Sequence, residues 1–298
     1  MERISTTAAS IIYMVSGMAI LGFIDNFVVI IARDIGLWQF HMVRSAIAVP
    51  TVIAFGLALG WELWPNRFWP VFARNLFLAG AMVVYFGCLG FFSIAAVAAG
   101  LFTAPVLVMF IDAVWSGNRI GPIRLLTALI GFVGTMLVLK PDVGDFGWAN
   151  LVPVIGGLLY AIGNVATRKL CEGESAVSLL WGYMAQMLVI GALGVAWLTL
   201  FPSDVDNFLT KPFAWPSGEV WFWLVAQAVF SLVGIGFIMK AYLVGEVTYV
   251  SIFEYSMLIF ASLTAWAWFG QSVGMAGIIG MAIIIVTGVV IALRSARA

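Results

Sequence analysis

The chain has 298 residues, 63% of them hydrophobic and 9% charged, with a mean hydropathy of +1.11. A soluble domain carries about 25% charged residues, so this chain lacks the polar groups to cover a water-facing surface and reads as an integral membrane protein. Its net charge of +0, from 14 basic and 14 acidic side chains, leaves no basic surplus for nucleic acid, and two cysteines with one histidine leave little for a metal site, a disulfide framework or redox chemistry.

Lipid offers a bare backbone no hydrogen-bonding partner, so spanning segments are helices of roughly 20 apolar residues or strands of a closed barrel. The apolar runs here are long and continuous rather than alternating. The expected fold is therefore an all-α polytopic membrane protein with ten transmembrane helices, at residues 8–31, 37–59, 71–92, 95–115, 123–139, 148–167, 176–201, 220–243, 247–268 and 273–293. Residues 1–7 are too short and too weakly charged for a signal-peptide n-region, so the first run is expected to stay as a helix. With the N-terminus cytoplasmic, the inner ends of the spans hold Arg3, Arg67, Arg74, Arg119, Arg124, Arg168, Lys169, Arg294 and Arg297, and the outer ends hold Arg33, Lys140 and Lys211. That bias places both termini in the cytoplasm. The Trp61, Trp64 and Trp69 cluster in WELWPNRFWP then anchors the inner interface.

Two stretches align without a gap at an offset of 152 residues: YFGCLGFFSIAAVAAGLFTAP, from Tyr85, and FIMKAYLVGEVTYVSIFEYSM, from Phe237. A second match, offset by 138, sets Ile24-Asp25-Asn26 against Ile162-Gly163-Asn164. The reading is two five-helix repeats, residues 1–140 and 141–298. Five is odd, so the repeats enter the membrane in opposite senses, a plan of secondary transporters that places a substrate site near the midplane where the halves meet.

The two repeat ends, AAVAAGLFTAPVLVMFIDAVWSGNRIGPIRLLTALIGFVGTMLVLKP and VTYVSIFEYSMLIFASLTAWAWFGQSVGMAGIIGMAIIIVTGVVIAL, carry small residues and a glycine-rich closing helix, with a mid-helix proline, Pro105, in the first. In this the chain resembles the drug/metabolite transporter (DMT) superfamily, specifically its ten-helix EamA-type permeases. The family's Gly-Glu at the helix end stands as Gly117-Asn118 and Gly270-Gln271, and the second proline is replaced near Met257. The Ser251 to Ser256 stretch is similar to a variant found among bacterial permeases for metabolites or S-adenosylmethionine. The resemblance implies secondary transport of a small organic metabolite by alternating access in the bacterial inner membrane.

An ionisable side chain near the bilayer centre costs about 2.5 kcal/mol or several-fold more, and such residues usually face a cavity and pair. Asp25, Arg44, Asp112, Lys240 and Glu254 fall inside the spans. At ~1.5 Å per residue, Asp25 and Arg44 lie about 9–10 Å from the outer ends of their helices, and Lys240 and Glu254 about 5–11 Å from the inner face. One reading has Asp25, Asn26 and Arg44 lining the outer part of a substrate pathway and Asn164, Lys240 and Glu254 the inner part. The other has Asp25 and Arg44 as a structural ion pair and Lys240 snorkelling to headgroups. Asp112, near its helix end, is within reach of Arg119 or Arg124. Glu254, partly desolvated at that depth, is the candidate coupling residue that takes up and releases a proton.

A buried phenol needs a hydrogen-bonding partner, which makes Tyr85, Tyr160 and Tyr255 further substrate-binding candidates. Gln186 and Gln227 suit a ligand or interhelical hydrogen bonds equally. Gly131 and Gly134 in helix five, and Gly274, Gly277, Gly280 and Gly288 in helix ten, suit close packing within the chain or across a homodimer, so monomer and homodimer both stand. Pro50, Pro105 and Pro153 interrupt spans, and Pro105, after AAVAAG, is the candidate gating hinge.

The segment 202–219 is too short for a separate binding domain. An intramembrane enzyme would need paired aspartates, a metal site or a nucleophile with its base, yet neither H-x-x-x-H nor G-x-S-x-G occurs, and no P-loop is present. No catalytic residues, metal or cofactor are expected. The expected partners are the lipid bilayer, a small-molecule substrate and, if transport is coupled, protons. Arg44 with Glu254 suits a polar or zwitterionic metabolite such as an amino acid. S-adenosylmethionine, or a vitamin or nucleoside, is the alternative. A non-transporting helper subunit is an alternative of another class.

Overall fold

A computed structural model describes residues 2–117, 120–141, 148–205 and 207–295, with the backbone alone for residues 2–5, 150 and 295. Among these residues every regular element is helical. In chain order they are α1 (Glu2–Ile24), a 3-10 turn (Asp25–Phe27), α2 (Val28–Asp34), α3 (Leu37–Leu59), α4 (Phe68–Cys88), α5 (Ile94–Leu101), α6 (Ala104–Ser116), α7 (Pro122–Leu139) and a 3-10 turn (Trp148–Leu151). There follow α8 (Val152–Leu170), α9 (Ala176–Leu200), α10 (Gly218–Val244), α11 (Val247–Val250), a 3-10 turn (Ser251–Tyr255), α12 (Ser256–Phe269) and α13 (Met275–Ser295). Nine described helical stretches are long and apolar enough to cross a membrane. In the sixth expected position stands α8, whose Asn164, Thr167, Arg168 and Lys169 make it less apolar than the others.

The boundaries have local causes. Ser93, Ser175 and Ser217 cap α5, α9 and α10, each accepting a hydrogen bond from a backbone N–H three residues on. Gly60, Gly117 and Gly270 close α3, α6 and α12 at φ +67, +65 and +64, where a side chain would be strained. The expected third span overshoots: residues 89–92 leave α4 in a turn, with the Phe91 and Phe92 amides donating to the Cys88 carbonyl, before Ser93 starts α5. Pro50 lies inside α3, whereas Pro105 and Pro153 fall in the first turns of α6 and α8, where the missing N–H costs no helical bond.

The packing is reciprocal. The closest neighbours are α1 with α10, α4 with α8, α3 with α9, and α7 with α13, while α12 lies on α1 and α5 and α6 lie on α8. Small residues set the closest crossings. A Cβ on Gly17 would lie 2.7 Å from the Gly234 carbonyl oxygen, and one on Gly280 would lie 2.5 Å from that of Gly134. Gly134 and Gly280 thus bring α7 and α13 together within the chain, backbone against backbone, as expected where lipid supplies no hydrophobic force between helices.

This contact separates two otherwise similar substitutions. Gly280→Ala is expected to destabilise the protein by about 1–3 kcal/mol through overpacking. Gly288→Ala, whose added methyl meets Phe253 at an ordinary 3.5 Å, is expected to be neutral. Thermal unfolding of both variants in detergent tests this, and equal melting would contradict the crossing.

Candidate functional site

Three spans are broken in their interiors. The first changes from α1 to a 3-10 turn at Asp25–Phe27, the fourth is interrupted at Phe102 and Thr103 between α5 and α6, and the ninth at Ser251–Tyr255. Such interruptions free backbone groups, reorient side chains and often mark functional hinges. Asp25 stands in the first break and Glu254 in the last, and both face one cavity of about 120 Å³ between α1, α3, α4, α8, α9, α10 and α12. Helical spacing fills its walls: Met18, Leu21 and Asp25 from the first span, Arg74, Leu78, Met82 and Tyr85 from α4, and Tyr160 and Asn164 from α8. Arg44, Tyr183 and Ser231 complete the polar lining from α3, α9 and α10.

The charged groups are held by neutral ones. Glu254, 3% exposed, accepts hydrogen bonds from the Tyr242 hydroxyl and from Asn164 Nδ2 at 3.4 Å, with Tyr160 lining the same cavity. Asp25 Oδ1 accepts from Gln227 Nε2 at 2.9 Å. Arg74, 1% exposed, donates from Nε to Thr167 Oγ1 and from Nη1 to Asn75 Oδ1, each at 2.6 Å. Arg44 donates to His41 Nδ1 at 3.4 Å and lies 5.0 Å from the Phe40 ring centroid. Arg44 Nε, His41 Nε2 and Ser45 Oγ are buried without a hydrogen-bond partner. Among the described residues two ion pairs occur, Arg124 with Glu246 and Lys169 with Asp112, and neither touches the cavity.

Of the residues singled out from the sequence, Asp25, Arg44, Tyr85, Tyr160, Asn164 and Glu254 therefore share one cavity. Three do not. Asn26 points to α12, its Nδ2 donating to the Gly22 carbonyl at 2.7 Å and the Ala261 carbonyl at 3.3 Å. Lys240 is exposed, as a snorkelling side chain would be. Tyr255 is fully buried against α7, its hydroxyl donating to the Ala128 carbonyl at 3.3 Å. The Asp25–Arg44 ion pair is not formed, because Gln227 holds the carboxylate instead. Asp112 pairs with Lys169 at 2.9 Å rather than with Arg124, which is taken by Glu246. Asn118, Arg119 and Arg297, and the side chain of Arg3, lie outside the described residues.

Arg74 is the main residue that sequence reasoning misplaced. Counted with the inner flank, it is buried inside α4. The available signal was its register: it shares a helical face with Tyr85 through Leu78 and Met82. Gln186, by contrast, ties α9 to α4, donating to the Phe72 carbonyl at 3.1 Å. A second hollow, of about 390 Å³ between Phe68, Phe72, Trp181 and Val189, is apolar and its rim is exposed on the outside of the bundle, where lipid would lie. Just past the end of α8, Cys171 is buried, and that burial pushes its thiol above the ordinary cysteine range.

Hydrogen bonds cross-link segments at both ends of the bundle. On one face the Glu174 carboxylate accepts from the Asn66 and Arg67 amides, each at 2.8 Å, and Arg67 donates to the Leu170 carbonyl at 2.7 Å. On the other, the segment before α10 is a strap over the α2–α3 corner. There Gln39 and Ala214 exchange two hydrogen bonds at 2.6 and 3.0 Å, and the Ser217 amide donates to Asp34 at 3.0 Å.

The chain is 27% identical over 172 residues to a riboflavin transporter of Vibrio cholerae serotype O1, a match covering 57% of this chain and 53% of that protein. It is 28% identical over 193 residues to the aromatic amino acid exporter YddG of Ancylobacter novellus, covering 62% of each. With an S-adenosylmethionine uptake transporter of Rickettsia conorii it shares 28% over 190 residues, 63% of this chain and 57% of that protein. The chain thus spans about half the length of the first of these relatives and about three fifths of the other two. They are permeases of the drug/metabolite type, the resemblance read from the sequence. No family model matches the chain. A crystal structure superposes with a TM-score of 0.76 over 98% of both chains at 22% identity, a likeness of fold. With its apolar helices and bacterial transporter relatives, the chain is a multi-pass membrane protein.

The Glu254 network makes a direct prediction. Glu254→Ala leaves Tyr242 and Asn164 without their acceptor and is expected to cost about 1–3 kcal/mol per unpaired group, whereas Glu254→Gln keeps an acceptor oxygen and costs less. Melting temperatures in detergent should rank wild type, Gln and Ala in that order. Equal values for the two variants would contradict the network.

Proposed function

We propose that the chain is a secondary transporter that carries a small polar or zwitterionic metabolite across the bacterial inner membrane by alternating access, and that the central cavity is its substrate site. One observation carries the proposal: charges of both signs line a single cavity amid the helices without pairing. Buried charges of that kind in a membrane protein belong to pathways and binding sites.

The reciprocal packing supports a ten-span chain built from two inverted repeats, residues 1–140 and 141–298, in which α8 is the sixth span and completes the ten. Exchanging the halves exchanges α1–α10 with α4–α8, and α1–α12 with the contacts of α5 and α6 on α8. The offset of 152 residues sets the break before Pro105 beside the break at Ser251–Tyr255. Gly117 and Gly270 end corresponding helices in the same left-handed conformation. In this reading Pro105 starts the inner half of a hinged span and both termini are cytoplasmic, so the Glu174 contacts form the inner gate and the strap before α10 the outer one.

At about 120 Å³, the cavity is smaller than the ~300 Å³ and upward typical of ligand pockets. A substrate therefore enters by parting helices, and release of one gate at a time performs that. The relatives' substrates, riboflavin, aromatic amino acids and S-adenosylmethionine, are ring-bearing molecules small enough for such a site. The last two carry both charges, which suits Arg44 and Arg74 opposite Asp25 and Glu254, and riboflavin is the vitamin alternative. Glu254, held by neutral donors alone, changes protonation without breaking an ion pair, which fits it for proton coupling.

Purified protein in liposomes should exchange labelled aromatic amino acid, S-adenosylmethionine or riboflavin for internal unlabelled compound, and absence of exchange with all three substrate types would refute the proposal. A pH gradient should accelerate net uptake in the wild type and not in Glu254→Gln, whereas an unchanged wild-type rate would remove coupling. Pro105→Ala should slow exchange, and unaffected kinetics would remove the hinge.

A further inference from the structure

Resting on that reading, we infer that Arg44 and Arg74 are two successive docking points for one anionic group of the substrate, so that the transported molecule carries a carboxylate. Arg74 is thereby a specificity-determining residue.

A guanidinium taken out of water needs an anion or a full set of hydrogen bonds, and in buried positions a carboxylate usually supplies them. Arg44 and Arg74 are 4% and 1% exposed, and among the described residues neither has a carboxylate within 4.0 Å. Two acids line the same cavity, but both are engaged elsewhere, Asp25 by Gln227 and Glu254 by Tyr242 and Asn164. Arg44 also keeps its Nε without a partner. The site thus presents two cations whose natural partner is a group the protein does not supply.

The two arginines differ in depth. Arg74 is six residues into α4, about 9 Å from the face where α3 ends and α4 begins, and Arg44 is fifteen residues before the end of α3, about 22 Å from the same face. Tyr183 on α9 lines the same cavity as both arginines. A carboxylate leaving Arg44 as one gate closes meets Arg74 as the other opens. A planar fork that takes both carboxylate oxygens does this better than an ammonium. A phosphate ester, with its second negative charge, would face Asp25 and Glu254 in the same small cavity, so the chemistry favours a single carboxylate on a molecule whose other end is cationic.

Tryptophan, tryptamine and indole-3-propionate separate the two ends of such a molecule without any mutation. Wild-type protein in detergent should be stabilised by tryptophan, less by indole-3-propionate, and not by tryptamine. Stabilisation by tryptamine equal to that by tryptophan would overturn the inference. In proteoliposomes Arg74→Gln should slow tryptophan exchange at least tenfold with a smaller loss of equilibrium binding, because Arg44 still receives the carboxylate. Arg74→Lys should recover part of the rate, and the double variant with Arg44→Gln should lose binding. Equal slowing of tryptophan and tryptamine exchange by Arg74→Gln would mark Arg74 as a structural prop. Exchange of riboflavin by wild type, with no response to tryptophan, would keep the transport reading and discard this inference. No exchange of any compound would discard both.

Discussion

Lipid neither solvates a charge nor offers the backbone a hydrogen bond, and every feature of this molecule follows from how its few charges are kept inside helices that lipid surrounds. Four of them converge on one cavity. Two arginines and two carboxylates in so small a space would ordinarily collapse into ion pairs, which are strong where the dielectric is low. Here each is held at a distance by tyrosine, asparagine, glutamine, threonine or histidine. Holding opposite charges apart in a bundle is costly, and the arrangement makes sense where a mobile ligand of both signs completes it.

The helices that hold these groups are of two kinds. Unbroken ones, α3, α4, α8, α9 and α10, present the arginines and most of the hydrogen-bonding partners, while Asp25 and Glu254 sit on 3-10 breaks. The broken spans have fewer regular backbone bonds at the cavity level and adjust at least cost. The glycine crossings of α1 on α10 and of α7 on α13 are rigid by comparison, since backbone already touches backbone. Under the proposed alternating access, rocking about these crossings and bending at the two acidic breaks would move the carboxylates while the arginines stay put.

Much of this was legible in the sequence. Continuous apolar runs located the helices to within a few residues, because lipid permits little else, and the runs themselves exposed Asp25, Arg44 and Glu254. What failed was the choice between neighbours. Asp25 and Asn26, Glu254 and Tyr255, Met239 and Lys240 are adjacent in the chain, and adjacent helical residues point about 100° apart; in each of these pairs the first lines the cavity and the second does not. Depth alone cannot make that choice. Arg74 was hidden for the opposite reason: six residues from a helix start, it looked like a flanking charge, and its shared face with Tyr85 outweighs its position. The ion pairs of Asp112 and Arg124 depended on contacts between helix ends far apart in the chain, which no local pattern encodes.

The central claim is that this cavity communicates with each side of the membrane in turn. Ser231, 1% exposed on the cavity wall, is close in size to cysteine, and both native cysteines are buried. Ser231→Cys in a Cys88→Ala, Cys171→Ser background can be labelled in oriented membrane vesicles with a membrane-impermeant thiol reagent added to one side at a time. Labelling from either side, slowed in both cases by the transported compound, is the result expected of an alternating site. Labelling from one side only, whatever the substrate, would contradict it.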